Sequence, residues 1–222
     1  MQVINHTLRL GAASLLALAL SGYLYSASAH AAGRDISHVN RGINVAADEE
    51  VGDVSSVNGS IEVNRGASTD DVETVNGRIE IEDNATVADA ETVNGRIRVG
   101  SNVVVRGSLE TVNGSITTRR GTTIERGVDT VNGRIELQQT RVGGNVQTSN
   151  GDIHLEDDTV IEGDLVIRSR RNFLERFFNW HNVPPKIYID GSSSVLGDIH
   201  LYQETELEID DRAQVGEIIR HY

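Results

Sequence analysis

The chain has 222 residues, 33 acidic against 20 basic, no cysteine, and a formal net charge of −13. Without cysteine there are no disulfides, thiol catalysis, thiolate metal ligands or lipid-modified N-terminal cysteine, and the acidic balance argues against nucleic acid, whose phosphates need a cationic face. From Ala32 to Asn172 there is no Phe, Trp, Tyr, Met, Lys or Pro, so the core there must be thin, built from Val, Ile, Leu, Thr and Ala rather than as a thick two-layer domain.

The first predicted element is an export signal over residues 1–31. Arg9 is the only charged residue before Arg34, and an apolar run from Leu10 to Leu20 follows it. Small residues come next, and both Ala27-Ser28-Ala29 and Ala29-His30-Ala31 fit a small-x-small cleavage site. Cleavage after Ala29 or Ala31 is expected, with an uncleaved anchor as the alternative. The mature protein would be periplasmic, secreted or displayed on the cell surface. Loss of Arg9 makes it one unit more acidic.

The rest of the chain is repetitive, and a fixed period of this length points to a solenoid or array. Val57-Asn58-Gly59-Ser60-Ile61 returns as Val75-Asn76-Gly77-Arg78-Ile79, Val93-Asn94-Gly95-Arg96-Ile97, Val112-Asn113-Gly114-Ser115-Ile116 and Val131-Asn132-Gly133-Arg134-Ile135. Weaker copies are Val39-Asn40-Arg41-Gly42-Ile43 and Ser149-Asn150-Gly151-Asp152-Ile153. The isoleucines at 43, 61, 79, 97, 116, 135 and 153 are spaced 18, 18, 18, 19, 19 and 18. Ile187-Tyr188-Ile189-Asp190 and Leu207-Glu208-Ile209-Asp210 continue the pattern after spacings of 34 and 20, so one turn carries an insertion.

Within a unit, β-branched residues alternate with polar ones on both sides of Asn-Gly, which is strand periodicity. A third apolar patch near Val87 recurs as Val195 and Val215. Asn-Gly is expected to supply the positive φ of a tight corner. A chain of hairpins would also use Asn-Gly between alternating runs. Hairpins would not, however, put the same residue type at the same place in every unit. We therefore expect an all-β, single-stranded parallel β-helix (β-solenoid) over residues 34–222, with about nine coils of roughly 18 residues. The rod would be roughly 40 Å long at one strand spacing per coil.

Stacking at this period predicts ladders. Asn40, Asn58, Asn76, Asn94, Asn113, Asn132 and Asn150 would form an amide ladder, as in cross-β stacks. Ser56, Thr74, Thr92, Thr111, Thr130 and Thr148 would form a hydroxyl ladder. The isoleucine column fills one inner wall with Val63, Ile81, Val99, Thr118, Leu137 and Leu155; Val54, Val72, Ala90, Leu109, Val128 and Val146 fill another. Val57, Val75, Val93, Val112 and Val131 are ambiguous: strict alternation points them outward, whereas a corner that turns them inward is the expectation adopted.

The units Thr-Val-Asn-Gly-Arg-Ile-Glu-Ile, as at 74–81, resemble those of the bacterial adhesin β-repeat family, a domain of unknown function. The terminal turns Val195-Leu196-Gly197-Asp198-Ile199 and Val215-Gly216-Glu217-Ile218 are similar to those of bactofilins. The resemblance spans most of residues 36–222 and implies a β-solenoid without catalytic residues. Bactofilins polymerise and are mainly cytoplasmic, so the export signal departs from that group.

Candidate chemistry is sparse. Glu73, Glu91, Glu110 and Asp129 form an outward acidic row, with Arg78, Arg96 and Arg134 five residues further along their coils. Glu156, Asp157, Asp158, Asp190, Asp210 and Asp211 mark an acidic edge that lacks the spacing of calcium-binding nonapeptides. Gly151-Asp152-Ile153-His154-Leu155 and Gly197-Asp198-Ile199-His200-Leu201 suggest a two-histidine site, but the register separates the two, with His154 against Tyr188. A glycosidase needs two placed carboxylates in a cleft. No nucleophile–base pair, phosphate loop or metal triad stands out, so neither a catalytic residue nor a cofactor or metal is expected.

The insertion, residues 168–186, holds all three Phe, the only Trp, the only Lys and both prolines. At helical spacing Phe173, Leu174, Phe177, Phe178 and Trp180 cover an arc of about 160°, with Arg171, Glu175, Arg176 and Asn179 opposite. A short amphipathic helix is predicted, stopped by Val183-Pro184-Pro185. It either packs on the rod or serves as a contact element in which Arg171, Phe173, Leu174, Arg176, Phe177, Phe178 and Trp180 meet an anionic envelope lipid, a polysaccharide or a protein. After the last coil only Arg220-His221-Tyr222 remain to cover an open strand edge, which predicts self-association. The overall expectation is a non-enzymatic, exported structural or adhesin-like protein of the cell envelope. The alternatives are a polymerising scaffold of bactofilin type and a carbohydrate-active enzyme.

Overall fold

The computed structural model describes residues 33–169 and 183–222. The signal segment and the core of the predicted amphipathic helix, including Arg171, Phe173, Leu174, Arg176, Phe177, Phe178 and Trp180, lie outside the described residues.

All the described elements are strands, every strand pair is parallel, and the chain coils through about nine turns. Three walls run along the rod. The first has ten strands, from Ile36–His38 to Ile218–Arg220; the second has nine, from Ile43–Val45 to Glu206–Ile209. The third has seven, from Thr86–Val87 to Gln214–Val215, and isolated bridges Glu50–Ser68 and Ser68–Thr86 continue it toward the N-terminus. The register is the predicted one: Ile61 lies on Ile79, Ile79 on Ile97 and Ile153 on Ile187, across the insertion. Ile187 then lies on Leu207, and Val195 lies on Val215 in the third wall.

The core is the predicted set of slim columns. Ile61, Ile79, Ile97, Ile116, Ile135 and Ile153 are fully buried, as are Leu109, Leu137 and Leu155. Each such side chain contributes roughly 1.5–3 kcal/mol over an exposed one. Three walls facing one axis leave no room for rings, which accounts for their absence from residues 33–169.

Two expectations are corrected at the corners. The corner glycines of the Asn-Gly units do not have positive φ; among the described residues the only glycines that do are Gly66 and Gly121. Glycine is required at the Asn-Gly corner by space instead. A Cβ on Gly95 would lie 1.8 Å from the Gly77 carbonyl oxygen of the coil before, and one on Gly77 would lie 2.1 Å from that of Gly59. The left-handed residues stand at the next corner, after the second wall: Asp48, Gly66, Asn84, Asn102, Gly121, Gln139 and the adjacent Asp157 and Asp158. Gly, Asn and Asp tolerate that conformation best.

The second correction concerns Val57, Val75, Val93, Val112 and Val131. None joins the core, and all are half-buried on the outer surface. Thr111, Val112 and Asn113 belong to one strand: alternation turns Val112 out after the buried Thr111, and the corner then leaves Asn113 exposed as well. Val39, at the head of this stripe, is 63% exposed.

The hydroxyl column is buried, as inward placement requires, but its members do not bond to one another. All but Thr148 donate to a corner carbonyl one coil earlier: Ser56 to Arg41 at 3.1 Å, Thr74 to Gly59 at 2.8 Å, Thr92 to Gly77 at 3.0 Å, Thr111 to Gly95 at 3.0 Å and Thr130 to Gly114 at 3.2 Å. The carbonyl that excludes a Cβ is thus the one that the threonine hydroxyl satisfies.

A test follows from this packing. Gly95→Ala should destabilise the rod by about 3 kcal/mol or more, because backbone would have to move. Gly121→Asn should stay within about 1 kcal/mol of wild type, since Asn holds the same corner at 84 and 102. Urea unfolding followed by circular dichroism measures both.

Candidate functional site

The asparagine ladder forms as the spacing demands. Each Nδ2 donates to the Oδ1 one coil earlier: Asn58 to Asn40 at 2.8 Å, Asn76 to Asn58, Asn94 to Asn76, Asn113 to Asn94 and Asn132 to Asn113 at 2.9 Å, and Asn150 to Asn132 at 2.7 Å. The amides lie on the outer surface, so the ladder is both a corner brace and an exposed periodic row.

A second ladder was not anticipated. Asp53, Asp71 and Asp89 each receive the next in line: Oδ1 of Asp35 accepts the Asp53 N–H at 3.1 Å, Asp53 that of Asp71 at 3.3 Å, and Asp71 that of Asp89 at 3.3 Å. The pattern resumes with Asn145, Asp164 and Asp198, which accept N–H groups of Asp164, Asp198 and Glu217 at 2.8, 3.0 and 2.9 Å. The sequence signal is an Asp or Asn directly before the inward residue of the first wall, as in Asp53-Val54, Asp71-Val72 and Asp164-Leu165.

Beside it runs the predicted acidic row, with Glu73, Glu91, Glu110 and Asp129 in register. Crowding removes water from these carboxylates and sets them against one another. Burial, reinforced by Glu110 and Glu73, pushes Glu91 up to about 7. Burial likewise raises Glu73 and Asp71. Burial pushes Asp129 up to about 6, although Arg168, 3.2 Å away, pulls it down. On the second wall some charges are paired: Arg78 and Arg98 both meet Glu80, at 3.2 and 3.3 Å.

The acidic edge of the last coils is turn chemistry. Asp190 accepts N–H groups of Asp157, Ser192 and Ser193. Partial burial opposes its ionisation, but bonds from Ser193, Asp157 and Ser192 overcome that and hold its carboxyl below the usual range. Arg212 donates to Asp210 and holds it at about 2. Among the described residues no group of three or more His, Asp and Glu is arranged to hold a metal ion. His154 and Tyr188 meet as expected, with ring centroids 5.7 Å apart, and His200 lies on the first wall against Val166 and Ile219.

A cleft of about 630 Å³ opens where the period breaks, lined by Asn150, Gly151, Asp152, Pro184, Pro185 and Glu204 among others. By the Ile153–Ile187 register, Pro184 stands where the next ladder asparagine would be, so the amide ladder ends at this cleft. Asp152 is committed: Oδ1 accepts the Lys186 N–H at 3.0 Å and Oδ2 meets Arg134 at 3.4 Å. Gln203 spans the cleft edge by donating to the Ser149 carbonyl at 2.6 Å. The Thr148 hydroxyl is buried and has no hydrogen-bond partner among the described residues, unlike its counterparts in earlier coils. No family model, no curated protein and no solved structure matches this chain.

The acidic row predicts an inverted pH dependence. An acid raised in the folded state keeps its proton after the unfolded chain has lost one, so folding stability falls as pH rises between the two values. For Glu91 that window runs from 4.5 to about 7, and for Asp129 from 3.8 to about 6. Glu91→Gln should stabilise the protein at pH 8 by about 1–3 kcal/mol and have little effect at pH 4. Denaturant midpoints across that range give the measurement.

Proposed function

We propose that this chain is an exported, non-enzymatic β-solenoid that acts by surface contact at the bacterial cell envelope. The observation that carries this reading is the constancy of the outer surface over successive coils. The Asn40–Asn150 amide ladder and the half-buried valines beside it repeat at the coil spacing. A rigid row of amides and methyls at a fixed repeat suits an extended, repetitive partner, such as a polysaccharide or a second rod, better than one small substrate. Export rests on the composition of residues 1–31. The aromatic and basic residues between Arg171 and Trp180 would add a contact with lipid or protein.

A second reading, assembly into polymers, is favoured by the C-terminal coil. Leu207, Ile209, Val215 and Ile218 point toward the core yet are only partly buried, whereas Ile187, Ile189, Val195 and Ile199 one coil earlier are covered. The carbohydrate-active alternative would use the cleft, where Asp152 is already tied to Arg134 and the Lys186 N–H. That leaves Glu204 without a free carboxylate partner in Asp152 for acid–base chemistry.

Cell fractionation tests the main reading: a chain shortened by 29 or 31 residues is expected in the periplasm, on the surface or in the medium. A full-length cytosolic protein would refute it. The purified mature protein is expected to sediment as more than a monomer, and a monomer at every concentration would remove the assembly limb. Phe177→Ser with Trp180→Ser should release the protein from envelope fractions while leaving its β circular dichroism intact.

A further inference from the structure

The geometry points to a binding site for a divalent transition-metal ion, of the borderline class that includes Zn²⁺, at His200 and His221 in the last coil. The repeated Gly-Asp-Ile-His-Leu segments suggest His154 and His200 as partners, but the coil places those on different walls. It brings His200 to His221 instead. Nδ1 of His200 and Nε2 of His221 face each other at 3.2 Å. The ring planes differ by 26° and the centroids are 5.4 Å apart, so the rings meet edge to edge.

Three features prepare the pair. The His221 N–H donates to the Leu201 carbonyl at 2.8 Å, which fixes the tail against the coil before. The Tyr202 ring lies flat on His221, with centroids 4.1 Å apart and planes at 6°. On the far side of His200, Nε2 lies 3.9 Å from Oδ2 of Asp164. That is too long for a hydrogen bond, but it sets a carboxylate behind the ring, and the tautomer with its N–H on that side directs the Nδ1 lone pair at His221. A carboxylate behind a histidine is the usual outer partner of a metal-ligating imidazole. Asp164 is itself held, because its Oδ1 accepts the Asp198 N–H at 3.0 Å.

Two imidazole nitrogens on a tetrahedral zinc, each about 2.0–2.1 Å from it, stand about 3.3–3.4 Å apart. The pair, at 3.2 Å, is already close to that separation. Without metal, one N–H lies between the two nitrogens. To admit the ion, that proton moves to Nδ1 of His221 or to solvent, and both rings tilt so that their lone pairs converge off the line joining them. No backbone approach is needed. Water completes the coordination, since the chain supplies two ligands. Imidazole suits zinc, copper and nickel and disfavours magnesium and calcium. The adjoining column of Asp164, Asp198 and Glu217 adds negative charge next to the pair.

Zn²⁺ titration of the purified protein at pH 7.5, by calorimetry and by NMR of the imidazole resonances, tests the assignment. One Zn²⁺ per chain is expected, shifting the His200 and His221 rings but not His154. His200→Ala and His221→Ala should each lose at least tenfold in affinity. Asp164→Asn keeps the acceptor for Asp198 and should weaken binding about tenfold. Circular dichroism shows whether each variant keeps its β structure, and the ring shifts in the wild-type protein are independent of any variant. Equal Zn²⁺ affinity in wild type and the double alanine variant would overturn the proposal, as would unshifted His200 and His221 rings at millimolar Zn²⁺.

Discussion

Each coil lies one strand spacing above the last, about 4.8 Å, and that distance decides which residue can stand at almost every position. Whatever occupies a place must fit directly over its counterpart. Asparagine does so by donating its amide to the one below, at 2.7–2.9 Å along the ladder. At the corner beside it, backbone stacks on backbone so closely that no Cβ fits. Inside, β-branched, leucine and a few alanine side chains stack in buried columns. Threonine is admitted because its hydroxyl reaches the corner carbonyl of the coil before. One distance therefore selects the amide, the glycine and the threonine together.

That coupling explains what was legible in the sequence. A side chain that stacks on its own kind leaves a repeat, so the inner columns, the asparagine row and the register through Ile187 and Leu207 could all be read from spacing. The reason for a residue could not always be read. Glycine after asparagine suits a positive φ and equally suits a place where backbone approaches backbone; both need the missing Cβ. The absence of positive φ at these glycines and the 1.8 Å that a Cβ on Gly95 would leave to the Gly77 carbonyl separate the two. The left-handed corner had its own signal in Asp48, Gly66, Asn84, Asn102, Gly121, Gln139, Asp157 and Asp158, but it was diluted over four residue types. The aspartates before the inward residues were hidden differently, since an acidic protein has carboxylates everywhere and only hydrogen-bond geometry marks these as caps.

Stacking like on like is costly for charge. Amides attract along a ladder because each carries a donor and an acceptor, whereas carboxylates carry only acceptors. Glu73, Glu91, Glu110 and Asp129 therefore crowd one another and lose water at once, which is why Glu91 holds its proton to about 7. The row does not persist. It gives way to Gln147, Val166 and His200 in the same column, and Arg168 reaches back to Asp129. The surface thus changes character where the period breaks. The cleft, the end of the amide ladder, the histidine pair and the tyrosines at 188, 202 and 222 all lie beyond residue 149. The N-terminal coils are uniform and the C-terminal coils carry distinct chemistry.

The wall counts bear on how such rods could join. The first wall has ten strands and the second nine, and the described chain both begins and ends on the first wall, with Ile36–His38 and Ile218–Arg220. A second copy stacked on the last coil in strict register would pair those two strands. The second wall would then lack one strand at the junction, between Glu206–Ile209 and the partner's equivalent of the first strand there. The half-covered Leu207 and Ile209 border that space. A seamless parallel stack of described coils is therefore not self-complementary. Contact along the side avoids the problem, because the valine stripe and asparagine row offer a repeat that matches itself at every coil. A half-covered end can therefore meet a second copy only if that gap is filled, whereas the sides repeat without one.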